Sequence, residues 1–287
     1  MRVKQRNKVV DDLRKGVLKP YYSSGGIPTM PPDFKLPQVK SGWSSSILAS
    51  RGCELNRNFC SMQNIFGNFF LQRNTESVLG EIRGITTKYA FIVDDNFYGA
   101  TSASQAHFNR VLDQLAKGKA RWLTQARLAV LKGEGVLERF KKANCAGLLI
   151  GFESINPEAR VPGKPRFDED RPSTVERTLQ FCRDVKMEMA LFNVLAPFPG
   201  TSLYNDMEKE GRIISKNWDD YRTSKVVFRP KHFEPEELEK AVSDATKKFY
   251  SPLSIFQRLK FNMNYDVREM YLLPNVLKML GFHFHTH

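Results

Sequence analysis

Tyr89-Ala90-Phe91-Ile92-Val93-Asp94-Asp95-Asn96 is the stretch on which the fold turns. An unbroken apolar and aromatic run reads as a buried strand, and it stops abruptly at two acids and an amide. Upstream, Thr75 to Lys88 has helical spacing, and Ser46 to Ser50 is a candidate strand. Downstream, Ser104 to Lys117 reads as a helix, Arg121 to Gln125 as a strand and Gly133 to Ala143 as a helix. Gly147 to Phe152 is a strand ending in Glu153, Ser173 to Val185 a helix, and Met189 to Leu195 a strand closed by Pro197-Phe198-Pro199-Gly200. Strands alternating with helices of this length predict a parallel sheet with crossover helices. In such folds chemistry gathers at the strand C-termini. Those ends hold Arg51-Gly52-Cys53, Asp94-Asp95-Asn96, Gln125 and Glu153.

The composition agrees with a folded domain. Of 287 residues 41% are apolar, enough to bury a core and to exclude bulk disorder. A net charge of +13 permits contact with nucleic acid or an anionic membrane surface. The basic residues are spread along the chain, which favours a basic enzyme surface and ranks a nucleic-acid or membrane-surface binder last. Four cysteines in a chain of this length make no disulfide framework, so a reducing cytoplasm is the expected setting. No signal peptide and no apolar run of membrane-spanning length is read.

The organisation falls into three parts. Residues 1–42 comprise a short basic helix and a loop dense in Ser, Gly and Pro; residues 43–215 carry the α/β alternation; residues 216–287 are helical. The last part holds helices over Phe233 to Tyr250, Ser254 to Phe261 and Val267 to Phe282, then His283, His285 and His287. That histidine tail reads as frayed before it reads as a metal site. The stripe Met270, Leu272, Leu273, Leu277, Leu280, Phe282 reads as packing against the core or a partner before it reads as lying on a membrane surface. Between Glu153 and Ser173 the chain has loop chemistry and no strand, where the alternation calls for a helix and a strand.

Ser50-Arg51-Gly52-Cys53-Glu54-Leu55-Asn56-Arg57-Asn58-Phe59-Cys60-Ser61 resembles the cluster loop of the radical S-adenosylmethionine (SAM) superfamily, which normally reads C-x-x-x-C-x-x-C with an aromatic before the last cysteine. Cys53 and Cys60 stand at its first and third cysteine positions, Phe59 is the aromatic, and Arg57 stands at the middle position. Phe91-Ile92-Val93-Asp94-Asp95-Asn96-Phe97, Trp122-Leu123-Thr124-Gln125-Ala126 and Leu149-Ile150-Gly151-Phe152-Glu153-Ser154 are similar to the next strands of the cobalamin-type subgroup. Phe192 to Thr201 and Val227-Phe228-Arg229-Pro230 continue the resemblance in family order.

The resemblance implies an α/β fold, a partial (β/α) TIM-like barrel one unit short, with a helical C-terminal segment. It implies a [4Fe–4S] cluster held by Cys53 and Cys60, with SAM near Asp94, Asp95, Gln125 and Glu153. The family activity is reductive cleavage of SAM to a 5′-deoxyadenosyl radical that acts on a small-molecule or lipid-like substrate, with a reductant such as ferredoxin or flavodoxin. Arg57 departs from the pattern, because a protonated guanidinium has no lone pair for iron. No cobalamin-binding domain is read ahead of the core, and one strand–helix unit after Glu153 reads as deleted. Without that unit, the strand at Gly147 to Phe152 is expected to pair directly with Met189 to Leu195. The rival to an active enzyme is a non-catalytic pseudoenzyme or decayed remnant. Cys145 and Cys182 sit among apolar neighbours and read as core thiols.

Overall fold

The computed structural model describes residues 10–17, 44–55, 57–62, 70–99, 101–152, 170–261 and 275. Its centre is a four-stranded parallel sheet of β1 (Ser44–Ile47), β4 (Tyr89–Ile92), β5 (Arg121–Arg127) and β6 (Cys145–Gly151), in that order. A short antiparallel pair, β2 (Ser50–Gly52) with β3 (Phe70–Gln72), stands beyond the end of β1. Three helices make the crossovers: α1 (Thr75–Arg83) before β4, α2 (Ser102–Leu115) before β5, and α3 (Val136–Lys142) before β6. Each new strand joins the sheet beside the previous one, with no reversal of order. That is the winding of a barrel, and it differs from a doubly wound sheet, whose order reverses at a switch point. The α/β class expected from the alternation is therefore the class observed.

Local chemistry explains the helix starts. Asn74 caps α1 by accepting from Ser77 N–H, and Thr101 caps α2 in a reciprocal box with Ser104. The helices bury one face against the sheet. Phe97, Phe108, Trp122 and Phe140 meet there, with Phe97 edge-on to Phe108 at 4.6 Å and tilted to Trp122 at 5.6 Å between centroids. Trp122 is fully buried and donates its indole N–H to Ala143 O at 2.5 Å, so the largest core side chain leaves no polar atom unpaired.

Four further helices follow: α4 (Pro172–Asp184), α5 (Ser202–Lys209), α6 (Pro235–Phe249) and α7 (Pro252–Phe261). They bring one correction. Met189 to Leu195 is not a strand, and β6 pairs only with β5 among the described residues. The segment's partners lie elsewhere. Met187, Ala190 and Phe192 pack on Leu179 and Cys182 of α4 and on Phe249 and Tyr250. The Tyr250 hydroxyl donates to Ala190 O at 2.9 Å and accepts from Ala190 N–H at 3.2 Å, while Val194 N–H donates to Thr223 O at 2.7 Å. With its backbone groups and apolar side chains so engaged, the segment serves the helical layer. The guanidinium of Arg258 fastens that layer. It stacks 3.8 Å from the Phe249 ring centre and donates to the carbonyls of Glu188 and Phe249.

The helix expected over residues 1–22 is described only from residue 10, as helical turns over residues 10–14. The loop over 23–42, Glu153 with the stretch to 169, the histidine tail and most of the Met270–Phe282 stripe lie outside the described residues. Among the described residues no helix is long and apolar enough to cross a membrane.

Candidate functional site

The loop carrying Cys53 and Cys60 leaves β2 at the C-terminal edge of the sheet. Gly52, with φ of +86°, makes the turn into Cys53, a left-handed conformation that glycine adopts without strain. Carboxylates at the end of β4 hold this entry in place. Asp94 accepts from Ala49 N–H at 2.7 Å on one oxygen and from the Ser50 hydroxyl at 2.6 Å on the other. Asp95 accepts from Gly52 N–H at 2.8 Å. From the other side, buried Arg73 donates to Leu48 O at 2.8 Å and forms a two-pronged ion pair with Glu81 at 2.9 and 3.0 Å. Further along the loop, Thr101 donates its hydroxyl to Glu54 at 3.1 Å, which ties the residue after Cys53 to the start of α2.

The Cys60 end is anchored separately. Cys60 N–H closes a turn on Arg57 O at 3.1 Å, and Leu203 N–H at the start of α5 donates to Asn58 O at 3.0 Å. Phe59 packs on the apolar cluster of Val194, Leu203, Met207, Val226 and Phe228. The Arg57 guanidinium lies 5.9 Å from the Phe59 ring centre.

The electrostatics show which groups share the site. Burial pushes the Cys53 thiol above its ordinary range; the Leu55 backbone opposes this, Cys60 adds to it, and the charges of Arg57 and Arg127 pull it down. Cys60, Arg57 and Arg127 therefore each act on Cys53. Burial also raises Asp95, against the Gly52 N–H and the Arg51 charge.

Asp94 departs from the ligand-facing role expected of it. It is 0% exposed, and both its oxygens are taken by protein donors, so it works as a strut for the loop. Complete burial pushes it up to about 7, against the Ser50 hydroxyl and the backbone of Ala49 and Ser50. The folded chain thus keeps a proton that the unfolded chain sheds near the ordinary 3.8. Stability from this group is full below about pH 4 and is lost as pH rises through about 7. Asp94→Asn should flatten that limb, because the amide does not titrate and can accept from Ala49 while donating to Ser50 Oγ. Urea unfolding of both proteins from pH 4 to 8 measures it; parallel pH curves would remove the assignment.

Gln125 is exposed on β5, and its carbonyl accepts from Phe97 N–H at 2.9 Å. Trp122, Thr124 and Ala126 bury the opposite face of that strand, so Gln125 and Arg127 share the uncovered face. Arg127 was not among the residues picked out from sequence, although two residues past Gln125 its side is dictated by strand alternation. Asn96 stands with the acid pair among the strand-end residues read from the sequence. It is 3% exposed, and its amide finds no hydrogen-bond partner among the described residues, at the strand end that holds the loop.

The residues present do not complete a three-thiolate cluster site. Cys145 begins β6, and the strand's length places it about 20 Å from the edge that carries the loop. Its thiol donates to Gly147 O at 3.5 Å, and burial pushes it up to about 12. Cys182 is buried on α4 beneath Ala245, Phe249 and Tyr250. Among the described residues no three His, Cys, Asp or Glu side chains are grouped to hold a metal.

Comparison with known proteins adds relatives. Residues 201–275 match a family described as a domain of unknown function, DUF4070. The chain is 26% identical to bacteriochlorophyllide d C-12(1)-methyltransferase of Chlorobaculum tepidum, over 87% of this chain and 63% of that protein. It is 23% identical to hopanoid C-2 methylase of Rhodopseudomonas palustris, over 81% of this chain and 49% of that protein. The chain therefore spans about half to two-thirds of the length of these relatives. Among solved structures, the radical SAM methyltransferase TsrM of Kitasatospora setae overlays with a TM-score of 0.49 at 17% identity, over 70% of this chain and 46% of that one. The motifs in family order and these methyltransferase relatives agree with the resemblance to the radical SAM superfamily read from the sequence.

Proposed function

We propose that this chain is a homologue of radical SAM methyltransferases that retains the sheet and the cysteine loop but does not complete the cluster, and so does not cleave SAM reductively by itself. A site-differentiated [4Fe–4S] cluster supplies the electron for SAM cleavage, and it takes three thiolates to leave its fourth iron open. The observation that carries the reading is Arg57. It stands in the loop between the two cysteines, its charge acts on Cys53, and the remaining cysteines lie at the far end of β6 and beneath α6. The cation can offset the charge of a thiolate but cannot ligate iron.

A second reading follows from the relatives, whose names describe methyl transfer to bacteriochlorophyllide and hopanoid skeletons. On it, the chain is a methyltransferase for an apolar polycyclic substrate, served by a reductant of the ferredoxin or flavodoxin class, with SAM met by Asp95, Gln125 and Glu153. That reading needs a third ligand for the cluster from another source.

Iron and acid-labile sulfide analysis after anaerobic reconstitution separates the two. The proposed function expects well under one cluster per chain. Four irons and four sulfides per chain, the content of a full cluster, would establish the second reading and overturn the first.

A further inference from the structure

We infer that the face of the sheet turned away from the helices binds a small apolar carboxylate, with its body on Phe91, Leu123 and Leu149 and its acid group on Arg127. Strand register puts these residues together. Phe91 is paired with Leu123 and Leu123 with Gly147; the next row toward the strand C-termini pairs Gln125 with Leu149, and the row after that pairs Arg127 with Gly151. Residues in register on parallel strands share a face, with neighbouring strands about 4.8 Å apart and successive rows about 6.6 Å apart. The backbone at Arg127 therefore stands about 8 Å from that at Leu149 and about 13 Å from that at Leu123. Ala90, Ile92, Trp122 and Ala126 point the other way, into the core beneath the three crossover helices.

Exposure rises along these rows. Tyr89, in register with Arg121 at the N-terminal end of the strands, is 4% exposed. Phe91 and Leu123 are half-buried, and Leu149 is 43% exposed, between two glycines that put no side chain on the face. An aliphatic side chain left this open on a sheet gains from an apolar cover. Ligand sites combine such an apolar floor with a few placed polar groups. Arg127 supplies the polar group. One terminal nitrogen donates to Gly99 O at 3.4 Å, and its Nε is buried without a hydrogen-bond partner. Among the described residues no carboxylate forms an ion pair with it. A guanidinium with donors to spare takes a carboxylate through two parallel hydrogen bonds. Arg121 lies on the same face of the same strand but at the covered end, about 20 Å from Arg127.

The test pairs pyrenebutyric acid with pyrenebutanol, which share an apolar body and differ in charge. Fluorescence titration of the full-length chain should give saturable binding of both, with the acid about tenfold tighter, the worth of one charge-assisted pair. Arg127→Met should bring the acid down to the affinity of the alcohol and leave the alcohol unchanged, and Arg127→Lys should restore part of the preference. Arg121→Met removes the same charge at the covered end and should change neither probe. That control separates a local pair from the attraction of a basic chain for any anion. Leu149→Asp, at an exposed position, should weaken both probes several-fold. Equal affinities for acid and alcohol in the parent, no saturable binding of either, or equal losses in Arg121→Met and Arg127→Met overturns the inference. Should Arg127→Met fail to fold, Leu149→Asp decides, and unchanged binding of both probes overturns it. The result is separate from the iron analysis: a full cluster would overturn the proposed function and leave the preference for the acid standing.

Discussion

Arg57→Cys takes up several-fold more iron and acid-labile sulfide than the parent chain on anaerobic reconstitution, moving toward one cluster per chain. The substitution puts a thiol four residues after Cys53 and three before Cys60, which restores the family spacing. It also meets a loop that is already in place. Asp94 and Asp95 fix its entry, Glu54 is tied to Thr101, and Asn58 is tied to Leu203. A ligand added to a preorganised loop loses little conformational entropy on binding. Soft thiolates are also the ligands that iron–sulfur clusters take. Arg57→Ser is the control, because it removes the cation without adding a thiol and should leave iron low. The measurement is iron and sulfide per chain with the visible spectrum. If Arg57→Cys stays at the parent level, the remainder of the site is also unfit for a cluster, and the loss lies beyond this one residue.

Asp94→Ala lowers the unfolding free energy by roughly 2–4 kcal/mol, because a buried donor left without an acceptor costs about 1–3 kcal/mol. Two donors are stranded: the Ala49 N–H and the Ser50 hydroxyl, both in the fully buried surroundings of Asp94. At about 2–4 °C per kcal/mol for a domain of this size, Tm should fall by roughly 5–15 °C. Asp94→Asn should lose much less, since its amide can serve both partners. Thermal unfolding of the three proteins checks the order. A mild Asp94→Ala would mean that the loop does not depend on this strut. The loss should extend to the site, because Ala49 and Ser50 lead directly into Gly52 and Cys53.

Much of the fold was legible before the structure. The strands β4, β5 and β6 and the helices between them lie where apolar periodicity puts them, with ends shifted by a few residues. Those are local signals, set by side-chain alternation. Met189 to Leu195 shows the limit. Its apolar run reads as a strand, yet it spends its backbone groups on Tyr250 and Thr223 and its side chains on two helices. Nothing within seven residues tells a chain whether its partner is a strand or the hydroxyl of a tyrosine 60 residues later.

The site divides in the same way. The sequence by itself determined which residues arrive at the edge of the sheet: the Cys53 to Cys60 loop with Arg57 at its middle, the acid pair after β4, and Gln125 on β5. Residue spacing and strand ends settle that much, because the chain carries each group to the end of the element it belongs to. Only the tertiary structure decided what the groups do on arrival. It turned Asp94 inward onto donors 44 and 45 residues upstream, left Gln125 exposed, brought Arg127 within range of Cys53, and kept Cys145 and Cys182 away from the loop. The physical reason is that a side chain's direction is chosen by whichever distant donor, charge or apolar surface meets it, and those partners are set by packing rather than by neighbouring residues.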